Sequence, residues 1–134
     1  MDDTIIFLGC DPKLESEIPV RRDKALHFRC PADGSRVALY GPYVTLPPGH
    51  FRIELAFAVD AAASGAVTIE LCHRQTRQQL YSRRCFPWEL AAGAIRISYL
   101  FPEGVEQLEV RLTVPPEFSG SIEKLSFARR DEHA

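Results

Sequence analysis

The sequence lacks most of what would announce a chemistry. Its four cysteines, Cys10, Cys30, Cys72 and Cys85, include no Cys-x-x-Cys pair, the close spacing a zinc site usually shows. They read as free thiols packed as small hydrophobes. His27, His50, His73 and His133 stand singly. The His-x-His or His-x-Asp spacing that lets alternate strand residues reach one ion is missing. There is no Gly-x-Ser-x-Gly elbow and no glycine-rich phosphate loop leading into a helix. No run approaches the ~18 apolar residues of a membrane span. The start, Met1-Asp2-Asp3, is acidic where a secretory signal is basic. A net charge of -2 and a pI of about 6.1 leave no basic excess for phosphates. These absences predict a cytoplasmic protein with no metal, no cofactor, no nucleic-acid partner and no membrane contact. Helical periodicity is missing too: no twelve-residue window repeats at 3.6.

What is present is alternation. From His50 to Asp60, Phe51, Ile53, Leu55, Phe57 and Val59 fall on one face, and Arg52, Glu54, Ala56 and Ala58 on the other. A period of two over that length is a strand with one buried face. The pattern recurs in 66–74 (Val67, Ile69, Leu71, His73), 94–101 (Ile95, Ile97, Tyr99, Phe101) and 105–114 (Leu108, Val110, Leu112, Val114). Shorter strands are predicted at 4–9, 25–30, 36–40, 43–46 and 78–85, the last with its phase ambiguous. In the closing segment 120–129, Leu125 and Phe127 point inward and Ile122 is out of phase with them, the mark of a bulge. Residues 10–23 and 86–93 read as irregular. Short strands with turn signals at ~8–12-residue spacing predict an antiparallel β-sandwich of about eight to ten strands without substantial helix. One domain is expected over 1–134, with an N-terminal strand and loop at 1–24 and a frayed tail at 130–134.

Catalysis finds little support. Glu54, Glu70 and Glu109 alternate with or face Arg52, Arg74, Arg96 and Arg111, so cross-strand ion pairing accounts for them. His73 reads as a hydrogen-bonded rim residue. Binding has better candidates. Sugars are held by aromatic rings against the apolar face of a pyranose and by polar groups on its hydroxyls. Tyr40 and Tyr43 flank Gly41-Pro42, Trp88 lies in an irregular segment, and Tyr81, Arg83 and Arg96 lie on strands. Arg52, Glu70, Arg83, Arg96 and Arg111 are predicted to line one sheet face. Two readings stand for Trp88, a plug at the sandwich end or a site residue, and each tyrosine also fits the core.

The run Tyr40-Gly41-Pro42-Tyr43-Val44-Thr45-Leu46-Pro47-Pro48-Gly49-His50-Phe51-Arg52-Ile53 resembles the turn-and-strand signature of galactose-binding-like jelly rolls. The closing Gly120-Ser121-Ile122-Glu123-Lys124-Leu125-Ser126-Phe127 is similar to the final strand of carbohydrate-binding modules of that type. The resemblance spans residues 25–129 at the level of pattern. It implies a non-catalytic β-sandwich of the kind appended to enzymes that build or degrade glycans, including bacterial enzymes assembling surface polysaccharide. Two functions are therefore expected. The first is a carbohydrate-binding module using Trp88, a tyrosine and one or two arginines. The alternative is a protein-interaction or self-assembly module docking a partner or a second copy, suggested by Leu100 and Cys72 on otherwise polar faces.

Overall fold

The computed structural model describes residues 4–61 and 65–130. It is a two-layer antiparallel β-sandwich of ten strands: β1 Ile5–Leu8, β2 Val20–Arg22, β3 Leu26–Arg29, β4 Arg36–Leu46, β5 Gly49–Ala61, β6 Val67–His73, β7 Gln79–Cys85, β8 Ala94–Phe101, β9 Val105–Val114 and β10 Ser119–Arg130. One sheet has the order β2-β3-β10-β5-β8, with β1 pairing further along the same edge of β10 as β3. The other has the order β4-β9-β6-β7. The only regular non-strand element among the described residues is a 3-10 turn at Leu90–Ala92.

The alternating residues meet between the layers. Phe51, Ile53, Leu55 and Phe57 of β5 face Leu108, Val110, Leu112 and Val114 of β9, and all eight are buried. Burying each such side chain contributes roughly 1.5–3 kcal/mol. Phe28, Phe57 and Phe118 fill one end with ring centroids 5.9–6.4 Å apart. The bulge expected in β10 is present: pairing with β5 shifts between Ile122 and Lys124, leaving Glu123 unpaired. That extra residue puts Ile122, Leu125 and Phe127 on the same buried face.

Three local expectations change. The strands at 36–40 and 43–46 are one strand, β4, because its pairing with β9 carries through Gly41 and Pro42. Gly41 (φ 113°) stays in register opposite Val110, and the irregularity is taken up at Tyr43 (φ 65°), which the pairing skips between Pro42 and Val44, as a register shift rather than a break. The loop at 10–23 contains β2, which pairs with β3 around a turn held by Asp23. The Asp23 carboxylate accepts the Ala25 N–H at 2.8 Å, contacts His27 at 3.0 Å and accepts from Arg21 at 3.0 Å. These contacts, the backbone bond first, hold its carboxyl well below the usual range. Third, Cys72, which alternation places on a polar face and so offers as a docking residue, is buried there, and the exposed thiol is Cys10. Residues 131–134 of the expected tail and 62–64 of the β5–β6 connection lie outside the described residues.

Candidate polar cleft on the outer face of the smaller sheet

Residues directly opposite in an antiparallel pair share a face, so the registers of β4, β9, β6 and β7 write out the outer surface in rows. One row reads Pro42, Glu109, Cys72, Gln79. The next reads Tyr40, Arg111, Glu70, Ser82, and the third Val37, Thr113, Thr68, Arg84. The inward alternates of β9 and β6 (Leu108, Val110, Leu112; Val67, Ile69, Leu71) are the core. Hydrophobic burial thereby orients an outward polar set whose positions the sheet fixes.

At the first row the surface deepens into a cleft of about 830 Å³, lined by Glu17, Tyr43, Glu70, Cys72, His73, Arg74, Arg77, Gln79, Glu109 and Arg111. The β6–β7 hairpin forms one wall. His73 Nδ1 accepts the Thr76 N–H at 3.4 Å, Arg77 takes a left-handed conformation (φ 57°), and Arg74 N donates to the Gln107 carbonyl at 3.2 Å. The loop after β1 forms the opposite wall, pairing Glu15 with Tyr40 and placing Glu17 beside Val37.

The cleft floor is a bonded network. Tyr43 Oη donates to Glu109 Oε2 at 3.0 Å, and Arg111 Nη1 donates to Glu109 Oε1 at 3.2 Å. Arg111 Nη2 also lies 3.9 Å from Glu17. The Glu109 side chain is only 12% exposed, so both oxygens are engaged where water has little access. The Arg74 guanidinium lies 4.1 Å from the Tyr43 ring centroid, a cation–π contact. Gln79 Nε2 donates to Glu70 Oε2. Burial first, and then the bond to Glu109, pushes the Tyr43 phenol up to about 12. Burial likewise raises the Cys72 thiol.

The sequence-predicted residues fall in four places. Tyr40 and Tyr43 lie on this outer face. Tyr81 and Arg83 point inward at the β7 edge, opposite Leu71 and Ile69. There the Tyr81 and Tyr99 rings meet at 6.1 Å, and Arg83 Nη1 donates to the Arg96 carbonyl at 3.1 Å, closing the sandwich between β7 and β8. Arg96 lies on the outer face of the larger sheet, where its Nε donates to Glu54 at 2.8 Å. Arg52 is directly opposite Ser98 in the same pair of strands, β5 and β8. Arg52, Glu70, Arg83, Arg96 and Arg111 therefore do not line one face. Trp88 is 73% exposed, with its ring stacked on Phe86 at 4.7 Å, while Leu90 is the buried residue of that segment. Trp88 is not a plug.

The cleft also uses Glu17, Gln79 and Glu109. Their sequence signal is an outward phase on a strand or a polar loop position, which does not reveal their proximity. Of the loop acids, the Asp11 carboxylate accepts from Lys13 N and the Asp33 carboxylate from Arg36, while Glu15 is tied to Tyr40 through its backbone. Among the described residues no group of three His, Cys, Asp or Glu side chains could hold an ion, and no helix is long and apolar enough to cross a membrane.

No family model matches the chain, and no curated protein does. Solved structures do. The chain is similar to the carbohydrate-binding module TmCBM61, solved with β-1,4-galactotriose (TM-score 0.51, 12% identity, 96% of this chain and 89% of that one). It is similar to the family 29 carbohydrate-binding module CBM29-2 (TM-score 0.50, 8% identity, 96% of this chain and 86% of that one). It is also similar to a chain of a Glycosylation Associate Protein complex from Streptococcus agalactiae (TM-score 0.52, 13% identity); the match covers 92% of this chain but only 24% of that one. At these identities the likeness is one of fold: the β-sandwich of carbohydrate-binding modules.

Proposed function

We propose that the chain is a non-catalytic carbohydrate-binding domain that holds a saccharide in the cleft on the outer face of the β4-β9-β6-β7 sheet, in the service of glycan assembly. One observation carries the reading. The cleft presents three carboxylates and three guanidinium groups, Glu17, Glu70 and Glu109 against Arg74, Arg77 and Arg111. An anion or a cation gains little from a balanced set. A neutral polyhydroxyl ligand gains from both halves, because each hydroxyl donates to a carboxylate and accepts from a guanidinium. Tyr43, Glu109 and Arg111 are already bonded to one another, so little side-chain entropy is lost on binding. The same bonds occupy Glu109 in holding the floor rather than leaving it free for proton transfer, which supports a binding role. Fold likeness to sugar-binding modules adds to this. Four cysteines free of disulfides fit a reducing, cytoplasmic setting.

A glycan array probed with the purified chain tests the proposal. Glu70→Ala and Arg74→Ala should each abolish the signal at least ~10-fold, the effect of ~1.4 kcal/mol, while urea stability holds. Arg96→Ala, on the opposite sheet, should bind as wild type. An array without signal, or cleft variants that bind normally, would overturn it.

A second reading, docking of a protein or a second copy, rests on β1. Ile6 (53% exposed) and Leu8 (52%) point outward on a short edge strand paired only with β10 among the described strands. Light scattering showing a monomer at high concentration would remove its self-assembly form.

A further inference from the structure

Trp88 remains unexplained by the cleft, and its setting is specific. Along the outer face of β7, Gln79, Ser82 and Arg84 follow one another, and Phe86 continues the same side immediately after the strand. The Arg84 guanidinium lies 5.6 Å from the Phe86 ring centroid, as expected of alternate residues on one face. Trp88 then stacks on Phe86 with an interplanar angle of 6°. One indole face is fixed against Phe86, and the side chain as a whole is 73% exposed. An exposed large ring, oriented but uncovered, is a surface prepared for a flat apolar ligand face.

Between this step and the cleft the face carries Ser82 and Thr68, short polar side chains, and the exposed Arg84, whose guanidinium leans toward Phe86 and offers donors to a hydroxyl. Gln79 in the cleft and Phe86 at the step are seven residues apart, about 20 Å at the strand rise after allowance for the irregularity near Leu80. That span fits several linked pyranose rings, not one.

We infer that the outer face is a track for an extended oligosaccharide, anchored by hydrogen bonds in the cleft and stacked at its far end on Trp88. The inference rests on the proposed sugar-binding reading and adds to it a ligand class: a linear chain, recognised by length.

Trp88 is the only tryptophan in the chain, so indole fluorescence reports on the step alone. The probes are disaccharide-to-hexasaccharide series of β-1,4-galactan, β-1,4-glucan and β-1,4-mannan. Calorimetry reads binding at the cleft and fluorescence reads arrival at Trp88. For the series that binds, short members should give heat without moving the emission, and longer members should shift it. Trp88→Ala should weaken the longest member about three- to tenfold and leave the disaccharide unchanged. Its exposure means the variant should fold normally. Binding with no length dependence, or an emission change already complete with the disaccharide, would overturn the track while leaving the cleft proposal standing. No heat from any series would overturn the sugar-binding reading and the track with it. Loss of a protein contact instead, seen as a change in oligomeric mass in Trp88→Ala, would also overturn the track.

Discussion

Replacing Tyr43 by Phe removes one oxygen and tests the cleft network directly. The ring remains, and with it the Arg74 guanidinium 4.1 Å above. What disappears is the 3.0 Å bond to Glu109, whose other oxygen still accepts from Arg111 at 3.2 Å. A hydrogen bond to a charged acceptor in a poorly hydrated site contributes about 1.5–3 kcal/mol. The phenol gives a second measure. Its displacement from 10.0 to about 12, caused by burial and then by the bond and charge of Glu109, corresponds to about 3 kcal/mol favouring the neutral form. That figure includes burial, so it bounds the bond from above. The sign follows from linkage. A folded pKa above the unfolded one means the contribution is complete below about pH 10 and lost as the pH rises from 10 to about 12. Urea unfolding at pH 7 should show Tyr43→Phe less stable by about 1.5–3 kcal/mol. Phenolate absorbance, taken as wild type minus variant, should isolate one group titrating near 12. A variant as stable as wild type, or a difference curve centred near 10, would refute the network as described.

Two further outcomes follow from packing. An aromatic disulfide reagent should titrate one thiol quickly in the native chain, that of exposed Cys10, and the other three only in denaturant, because burial raises the thiols of Cys30, Cys72 and Cys85. Two fast thiols would contradict it. Gly104→Ala should cost at least roughly 1–3 kcal/mol in urea unfolding, since φ is +77° and an added methyl would lie 2.6 Å from the Leu46 carbonyl oxygen; a neutral variant would show that the β8–β9 turn is otherwise built.

The architecture was legible because most of the core is written as alternation. Phe51 to Phe57 and Leu108 to Val114 keep one phase throughout, and nothing in tertiary packing overrides it. Even the irregularity of β10 showed, since Ile122 and Leu125 cannot both face inward without an extra residue between them. Gly41 and Pro42 misled because the same residue types end a strand or bulge it. The choice depends on whether a neighbour continues the ladder, and β9 does. In β7 the irregularity opposite Leu71 and Cys72 separates Gln79, which faces out, from Tyr81 and Arg83, which face in.

The cleft was legible only in fragments, for a related reason. Alternation says that Glu54, Glu70, Arg96 and Arg111 each point outward, but not from which layer. Glu54 and Arg96 bond on the larger sheet, while Glu70 and Arg111 are neighbours on the smaller. Strand order is decided by which inward faces close the core together, a property of all ten strands at once. The local signals are silent on it. Glu109, Cys72 and Gln79 become a row because β9 inserts between β4 and β6, far apart in sequence from one another. The apolar half of each strand thus selects the assembly, and the polar half is carried along into adjacency. A polar cleft on a sandwich face is, in that sense, a consequence of the core beneath it: substitutions such as Tyr43→Phe that spare Leu108 and Val110 can change the bonding groups the face presents while leaving intact the order that created it.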